Sequence, residues 1–452
     1  MINSKVLKGY SVKDTTNPFS TPYSSKLFLP GTVNGRSSKI YIDDDLLSKH
    51  MMLIGGTGCG KTNTFNFMIR QIKEKLTSDD IMVVFDTKGD YYRKFYTPGD
   101  YVISNQTEYG DNSSKWNIYK EITVDGYDDR NTYNNAYEIA TALFRESLEK
   151  TNQVFFPSAA RDVLVSIMLA YVRISESSIY GGESFKRERL NNKCLRNFLN
   201  TAGIPSIRKI LDTRRYPELE DLRSVLGYLG QEANNQALGV IAELLNVCHQ
   251  VFIGDFAEVG DFSVREFVRN KGGKTLFIEY DLSIGDTLAP IYSLLFDLCL
   301  KEAMGRRSEG NVYLVCDEFK LLPYMKHIED GVNFGRGKGV KILAGLQSIE
   351  QLYEIYGEAR GKNIASGFSS VFAFKPNDTT TRNFISDLYG KNIVLEQYKT
   401  FSNIVTEEKR EGKTVEDWDI ISLNVGEAIV ALTNEKPFKY QFDLYEEYYR
   451  YE

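Results

Sequence analysis

Residues 55–62 read Gly55-Gly56-Thr57-Gly58-Cys59-Gly60-Lys61-Thr62, a complete Gly-x-x-x-x-Gly-Lys-Thr loop. Its glycines let successive backbone N–H groups turn inward as a cradle for an anion. Lys61 carries a charge that reaches the β- and γ-phosphates of a nucleotide, and the Thr62 hydroxyl is a ligand for Mg2+. Asn63 opens the helix that the loop feeds and is counted with the cradle. A cradle alone binds ATP; hydrolysis also needs a carboxylate for the metal and a group that positions water. The chain offers two sources. Asp86 ends the apolar run 81–85 in Asp86-Thr87-Lys88-Gly89-Asp90, close to the Asp-x-x-Gly of GTPases. The run 312–316 ends instead in two adjacent acids, Asp317 and Glu318. The second source fits better, with Asp317 holding the metal's hydration shell and Glu318 reaching the attacking water as a base. The GTPase reading also lacks an Asn-Lys-x-Asp guanine-recognition sequence.

Two further groups follow. Gln347 comes after the apolar run 342–346, so a parallel neighbouring strand puts its amide beside Asp317 and Glu318, where it can sense the γ-phosphate. Arg336 and Lys338 lie among three glycines in Phe334-Gly335-Arg336-Gly337-Lys338-Gly339, a loop whose charges can be presented outward. Spacing alone favours a solvated basic turn there. The alternative is an arginine finger that reaches the nucleotide of a neighbouring subunit.

These groups need elements to hold them. Residues 51–54 form a short buried-strand run, and 63–76 reads as the following helix, with Phe65, Phe67, Met68, Ile69 and Ile72 on its apolar face. Residues 1–48 are polar and turn-rich, a lead-in with one strand candidate at 39–43. Strands are expected at 81–85, 274–280, 311–316, 340–345, 369–375 and 428–432, with helices at 288–304, 349–356 and 380–389 between them. That alternation predicts an α/β fold with a mainly parallel sheet covered on both faces. From 125 to 262 the pattern is helical, at 137–145, 159–173, 219–229 and 236–250, and reads as an inserted all-α domain. The expected organisation is a lead-in over 1–48, a P-loop ATPase domain over 49–124 and 263–452, and the insertion. The charged stretch 407–416 has no apolar period and reads as a solvated loop.

The 452 residues set a prior of about two to four domains, and 42% hydrophobic with 26% charged residues is ordinary globular composition. A net charge of −6 advertises neither nucleic acid nor an anionic membrane, so any DNA contact must come from local patches. Lys186-Arg187-Glu188-Arg189 and Arg214-Arg215 are the basic clusters of the insertion, and such runs are usually solvated faces. The five cysteines read as reduced structural thiols, and with three histidines there is no Cys/His metal pattern. The first ten residues lack the apolar core of a signal peptide. The apolar stretch 288–300 is interrupted by Asp297 and too short to span a bilayer, so no transmembrane segment is expected. The expected location is cytoplasmic, with any membrane association supplied by a partner.

Taken in order, the residues 50–62, Asp86-x-Lys88-Gly89-Asp90, Asp317-Glu318-Phe319 with Leu322-Pro323, the 335–340 loop and Leu346-Gln347-Ser348 carry a resemblance. The chain resembles the coupling-protein ATPases of type IV secretion and conjugation, the TraG/TraD group of the wider HerA/FtsK class. The likeness extends from about residue 35 to the last strand region, Gly426-Glu427-Ala428-Ile429-Val430. It implies a RecA-like P-loop NTPase with an all-α domain, working as a homo-hexameric ring that pumps DNA through its pore without regard to sequence. It implies ATP and Mg2+ between subunits, Glu318 as catalytic glutamate, Gln347 as γ-phosphate sensor and Arg336 as trans-acting arginine. Membrane-anchored members begin with transmembrane helices, absent here, which leaves room for two other readings. One is a soluble HerA-like ATPase partnered with a nuclease or other effector in genome maintenance or phage defence. The other is a nucleotide-gated assembly adaptor.

Overall fold

The apolar runs bounded by glycine and polar residues become short strands whose side chains are buried on both faces, as a sheet sandwiched between helices requires. In the computed structural model, which describes residues 3–12, 25–201, 203–230, 234–305, 310–399, 405–433 and 435–450, fourteen strands are present. They are β1 (Asn3–Lys8), β2 (Ser25–Val33), β3 (Arg36–Asp43), β4 (Met51–Ile54), β5 (Ile81–Asp86), β6 (Tyr101–Ile103) and β7 (Lys274–Glu279). The series continues with β8 (Val312–Cys316), β9 (Val340–Leu346), β10 (Ser370–Phe374), β11 (Lys391–Lys399), β12 (Val405–Lys413), β13 (Glu427–Ala431) and β14 (Phe438–Phe442).

Eleven of them form one sheet in the order β3-β2-β14-β13-β10-β4-β9-β8-β5-β7-β6. From β10 to β6 every pairing is parallel; from β10 outward through β13, β14, β2 and β3 every pairing is antiparallel. The fold is therefore the α/β, mainly parallel P-loop architecture. Two expectations need correction. Residues 25–43 are not a detached lead-in, because β2 pairs with β14 and continues the sheet. The charged stretch 407–416 is not a loop: β12 pairs along its whole length with β11, and β11 with β1, as a separate three-stranded sheet. Its charges are satisfied across strands, Lys391 with Glu411 and Arg410 with Glu396, so no apolar period is needed.

The described residues of 125–262 contain helices and turns but no named strand. The expected helix at 219–229 is a 3-10 segment, Pro217–Gly227, started by its proline. Helix Phe155–Glu176 is long and apolar enough to cross a membrane by composition, yet 72% of its most apolar window is buried inside the protein. It is the spine of the helical region, and it shares one continuous core with the sheet face that carries Met52, Ile54, Val83 and Phe85. The other face of the sheet, with Leu53, Val84 and Phe372, packs on helix Lys61–Glu74 and the C-terminal aromatics.

The helical region is joined to the sheet by a buried polar clasp. Glu121 accepts hydrogen bonds from Trp116 Nε1 at 3.0 Å, Ser263 Oγ at 2.9 Å and Val264 N at 2.7 Å. Arg265 and Arg269 then pair with Asp125 and Glu302. Chain leaving the sheet is thus bonded to chain returning to it. Removing the acceptor strands several buried donors, so Glu121→Ala should cost about 3 kcal/mol of stability, read as a lower denaturation midpoint in urea; an unchanged midpoint would show that the clasp contributes nothing.

Candidate active site

The three central strands β4, β9 and β8 are parallel and in register, Ile54 opposite Leu346 and Cys316 opposite Ala344. Whatever follows each strand therefore emerges at the same edge of the sheet. Gly55 to Thr62 follows β4, Gln347 follows β9, and Asp317 and Glu318 follow β8. Gly345 sits so close to the Asp317 backbone that a Cβ there would lie 2.1 Å from the Asp317 carbonyl oxygen. The turn into helix Lys61–Glu74 needs glycine as well: Gly60 has φ 116°, and a Cβ on it would press on Gly426 at 3.0 Å.

With no phosphate beside it, Lys61 is buried and donates to the Gly55 carbonyl at 2.6 Å and the Gly56 carbonyl at 3.1 Å. Thr62 Oγ1 donates to Asp317 Oδ2 at 2.6 Å, and Gln347 Nε2 donates to Glu318 Oε2 at 2.9 Å. Burial raises the Glu318 carboxyl above the usual range, opposed by the Gln347 hydrogen bond and the Lys61 charge. Burial likewise raises the Cys59 thiol. The sheet thus brings the loop, both acids and the glutamine together. Asn63 goes elsewhere: its amide donates to the Asp443 carbonyl and accepts from Tyr445 N, both at 2.8 Å, fastening the C-terminal segment onto the helix.

Arg336 lies just before β9, at the other end of the strand. Seven residues at about 3.3 Å each separate it from Gln347 by roughly 20 Å. There it is 58% exposed and pairs with Asp45 at 2.7 Å. It cannot reach the phosphate loop of its own chain. The basic clusters of the helical region are partly consumed internally, Lys186 by Glu176 and Glu183 and Arg214 by Asp212.

Three site features carry no motif that sequence reasoning weighed. Tyr91 donates its hydroxyl to Asp317 Oδ2 at 2.6 Å. Asp86 is no open carboxylate: it accepts from Lys88 N at 3.2 Å and Tyr92 N at 2.9 Å, holding the turn that delivers Tyr91. Directly across the ladder, Glu279 is fully buried beside Asp86.

The family model for the type IV secretion-system coupling protein DNA-binding domain matches residues 37–423. The chain belongs to this family. Among curated relatives, the coupling protein TraD of Escherichia coli K12 is 22% identical over 424 residues, covering 88% of this chain and 53% of its own. The chain thus spans about half the length of that relative. Among solved structures, the bacterial conjugative coupling protein TrwBdeltaN70 in its unbound monoclinic form aligns with TM-score 0.72 at 20% identity, covering 97% of this chain and 93% of that one. TrwB in complex with ADP and Mg2+ aligns with TM-score 0.68 at 19% identity, over 98% and 94% of the two chains. As a member of the coupling-protein family, the chain shares the fold of these structures over nearly its whole length.

Glu279 makes the stability of this coupling-protein domain depend on pH. Burial first, then the neighbouring Asp86 charge, push its carboxyl from 4.5 to about 9. The folded state keeps a proton that the unfolded chain has released, so stability falls as pH rises from about 4.5 to about 9, by at most about 1.4 kcal/mol per unit. Glu279→Gln copies the neutral acid. Its melting temperature should therefore gain on the wild type between pH 6 and pH 9, and a difference independent of pH would contradict the burial of a neutral acid.

Proposed function

We propose that the chain is the motor part of a conjugative coupling protein, an ATP hydrolase that drives DNA without reading its sequence. The observation that carries this reading is the convergence at one sheet edge of a phosphate loop, the Thr62–Asp317 bond and the Gln347–Glu318 bond. The backbone N–H groups of Gly55 to Thr62 cradle the phosphates of ATP. Lys61, which bridges two loop carbonyls here, transfers its charge to the β- and γ-phosphates. The Thr62 hydroxyl and Asp317 carboxylate are hard oxygen donors 2.6 Å apart, a donor set that suits Mg2+. Mg2+ bound there neutralises charge on the phosphates. Glu318 takes the proton of the attacking water, helped by its raised basicity, and Gln347 keeps its carboxylate aimed. The relative TrwB was solved with ADP and Mg2+, which supports the same ligands here.

Arg336, at the opposite end of the parallel strands, is assigned to the nucleotide of a neighbouring copy. That assignment supports a ring, taken as a homo-hexamer, in which each site closes between two subunits. DNA passes through its pore by backbone contacts, and a secretion-system partner receives it. Residues 25–124 and 263–450 are assigned to the motor and 125–262 to an inserted all-α domain. We place the motor on the cytoplasmic side of its membrane partner.

ATP hydrolysis with and without single- and double-stranded DNA, measured alongside the mass in solution, tests the reading. Turnover stimulated by DNA in a hexamer is expected. Lys61→Ala should lose nucleotide binding, and Glu318→Gln should bind ATP but turn over about a hundredfold or more slowly. Arg336→Ala should assemble yet lose about a thousandfold in rate; normal hydrolysis by its assembled form would remove the trans assignment.

A further inference from the structure

The Asp317 carboxylate receives two hydroxyls, from Thr62 and from Tyr91, and both land on the same oxygen at 2.6 Å. The two donors arrive on different supports. Thr62 belongs to the loop that must rearrange when nucleotide enters, since Lys61 has to release Gly55 and Gly56. Tyr91 belongs to the first turn of helix Asp90–Phe95, which follows β5, the strand paired with β8 beneath Asp317. Nothing about that turn depends on the loop. Asp86 fixes it with two backbone hydrogen bonds, and Gly89 completes it at φ 68°, where a Cβ would lie 2.7 Å from the Tyr109 hydroxyl. The Tyr91 ring is buried and lies nearly parallel to Phe95, with 6.4 Å between ring centroids.

A buried tyrosine of this chain does not need a carboxylate in order to pack. The hydroxyls of Tyr119, Tyr313 and Tyr389 are buried without a hydrogen-bond partner among the described residues. The hydroxyl of Tyr91 is different, because it ends on the acid expected to hold the metal. A donor to a metal-binding carboxylate fixes the direction in which its lone pairs point, and such supporting bonds carry much of a metal site's affinity.

We infer that Tyr91 is a positioning residue for Asp317: with the turn anchored by Asp86 it holds the metal-binding carboxylate in place whatever the state of the phosphate loop. The inference rests on the nucleotide-hydrolysis reading of the site. It separates Tyr91 from a packing residue, because its effect appears only when Mg2+ is present.

Equilibrium binding of a fluorescent ADP analogue to the full chain, in Mg2+ and again in excess EDTA, tests it. The wild type should bind more tightly in Mg2+. Tyr91→Phe keeps the ring and should lose about tenfold of that Mg2+-dependent tightening, with binding in EDTA unchanged. Adding Tyr91→Phe to Asp317→Asn should then change nothing further. Gly89→Ala displaces the same turn from a second side and should act in the same direction, so the test survives if the tyrosine variant does not fold. Equal tightening by Mg2+ in Tyr91→Phe and wild type would overturn the inference. So would a loss of the same size in Mg2+ and in EDTA, which marks damage to the loop. A wild type that binds the analogue but ignores Mg2+ would remove the inference while leaving nucleotide binding intact; one that binds no nucleotide would remove the underlying reading as well.

Discussion

One carboxylate joins the parts of this molecule that must act together. Asp317 closes on Thr62, 255 residues away in the chain, and on Tyr91, 226 residues away. It can do so only because β4, β9, β8 and β5 are parallel, adjacent and in register, so that their C-terminal ends fall at one level. Parallel strands slant their hydrogen bonds and need long crossovers. What they gain is a single edge where every following loop meets. The positive ends of the backbone N–H groups gather there, and an anion is favoured. The short glycine-bounded strands, the buried lysine and the paired acids are all consequences of that edge.

The same parallelism divides the chain's charges between two ends. Everything that follows a strand faces the phosphate loop; everything that precedes one faces away. Arg336 precedes β9 and Asp45 precedes β4, and the two meet at the far edge, 58% and 53% exposed. An ion pair that open to water is worth well under 1 kcal/mol and is easily exchanged for another anion. The buried side of that edge is built differently. Lys341 is fully buried and donates to Asp44 at 2.6 Å and to Asn311 at 2.7 Å, so the platform beneath the exposed arginine is fixed while the arginine itself is not.

What could be read from the sequence followed from locality. The phosphate loop, the strand Met51–Ile54, the acids after β8 and the glutamine after β9 each declare themselves within a dozen residues, because a turn or a buried run imposes its own composition. Pairings over long separations did not declare themselves. β1 meets β11 nearly 390 residues later, and β12 hides its strand character behind charges that are satisfied only across the ladder. Tyr91 follows a motif residue but is one of 29 tyrosines, and its hydroxyl acquires meaning only where β5 lies beside β8. Asn63 was legible as a neighbour of the loop, but its amide is taken by the C-terminal segment, which no local pattern links to it. Glu279 is the opposite case. An acid at the end of an apolar run looks solvated, and it is fully buried because Tyr109 and the Asp86 turn close over it.

The continuity of the core decides how the helical region can take part in function. A domain tethered by a solvated linker moves freely, but here helix Phe155–Glu176 and the sheet share one apolar cluster. The chain crosses between them at Trp116 and Phe262, bridged directly and sealed by Glu121, Arg265, Asp125, Arg269 and Glu302. Sliding that boundary would expose apolar surface and unpair buried charges at once, a cost of several kcal/mol. By contrast, the loop and turn that hold Asp317 are anchored by single hydrogen bonds and end at solvent. A ligand with modest binding energy can rearrange those, and only those. Nucleotide-driven motion therefore begins at the strand ends, and the helical region follows with the sheet as one body.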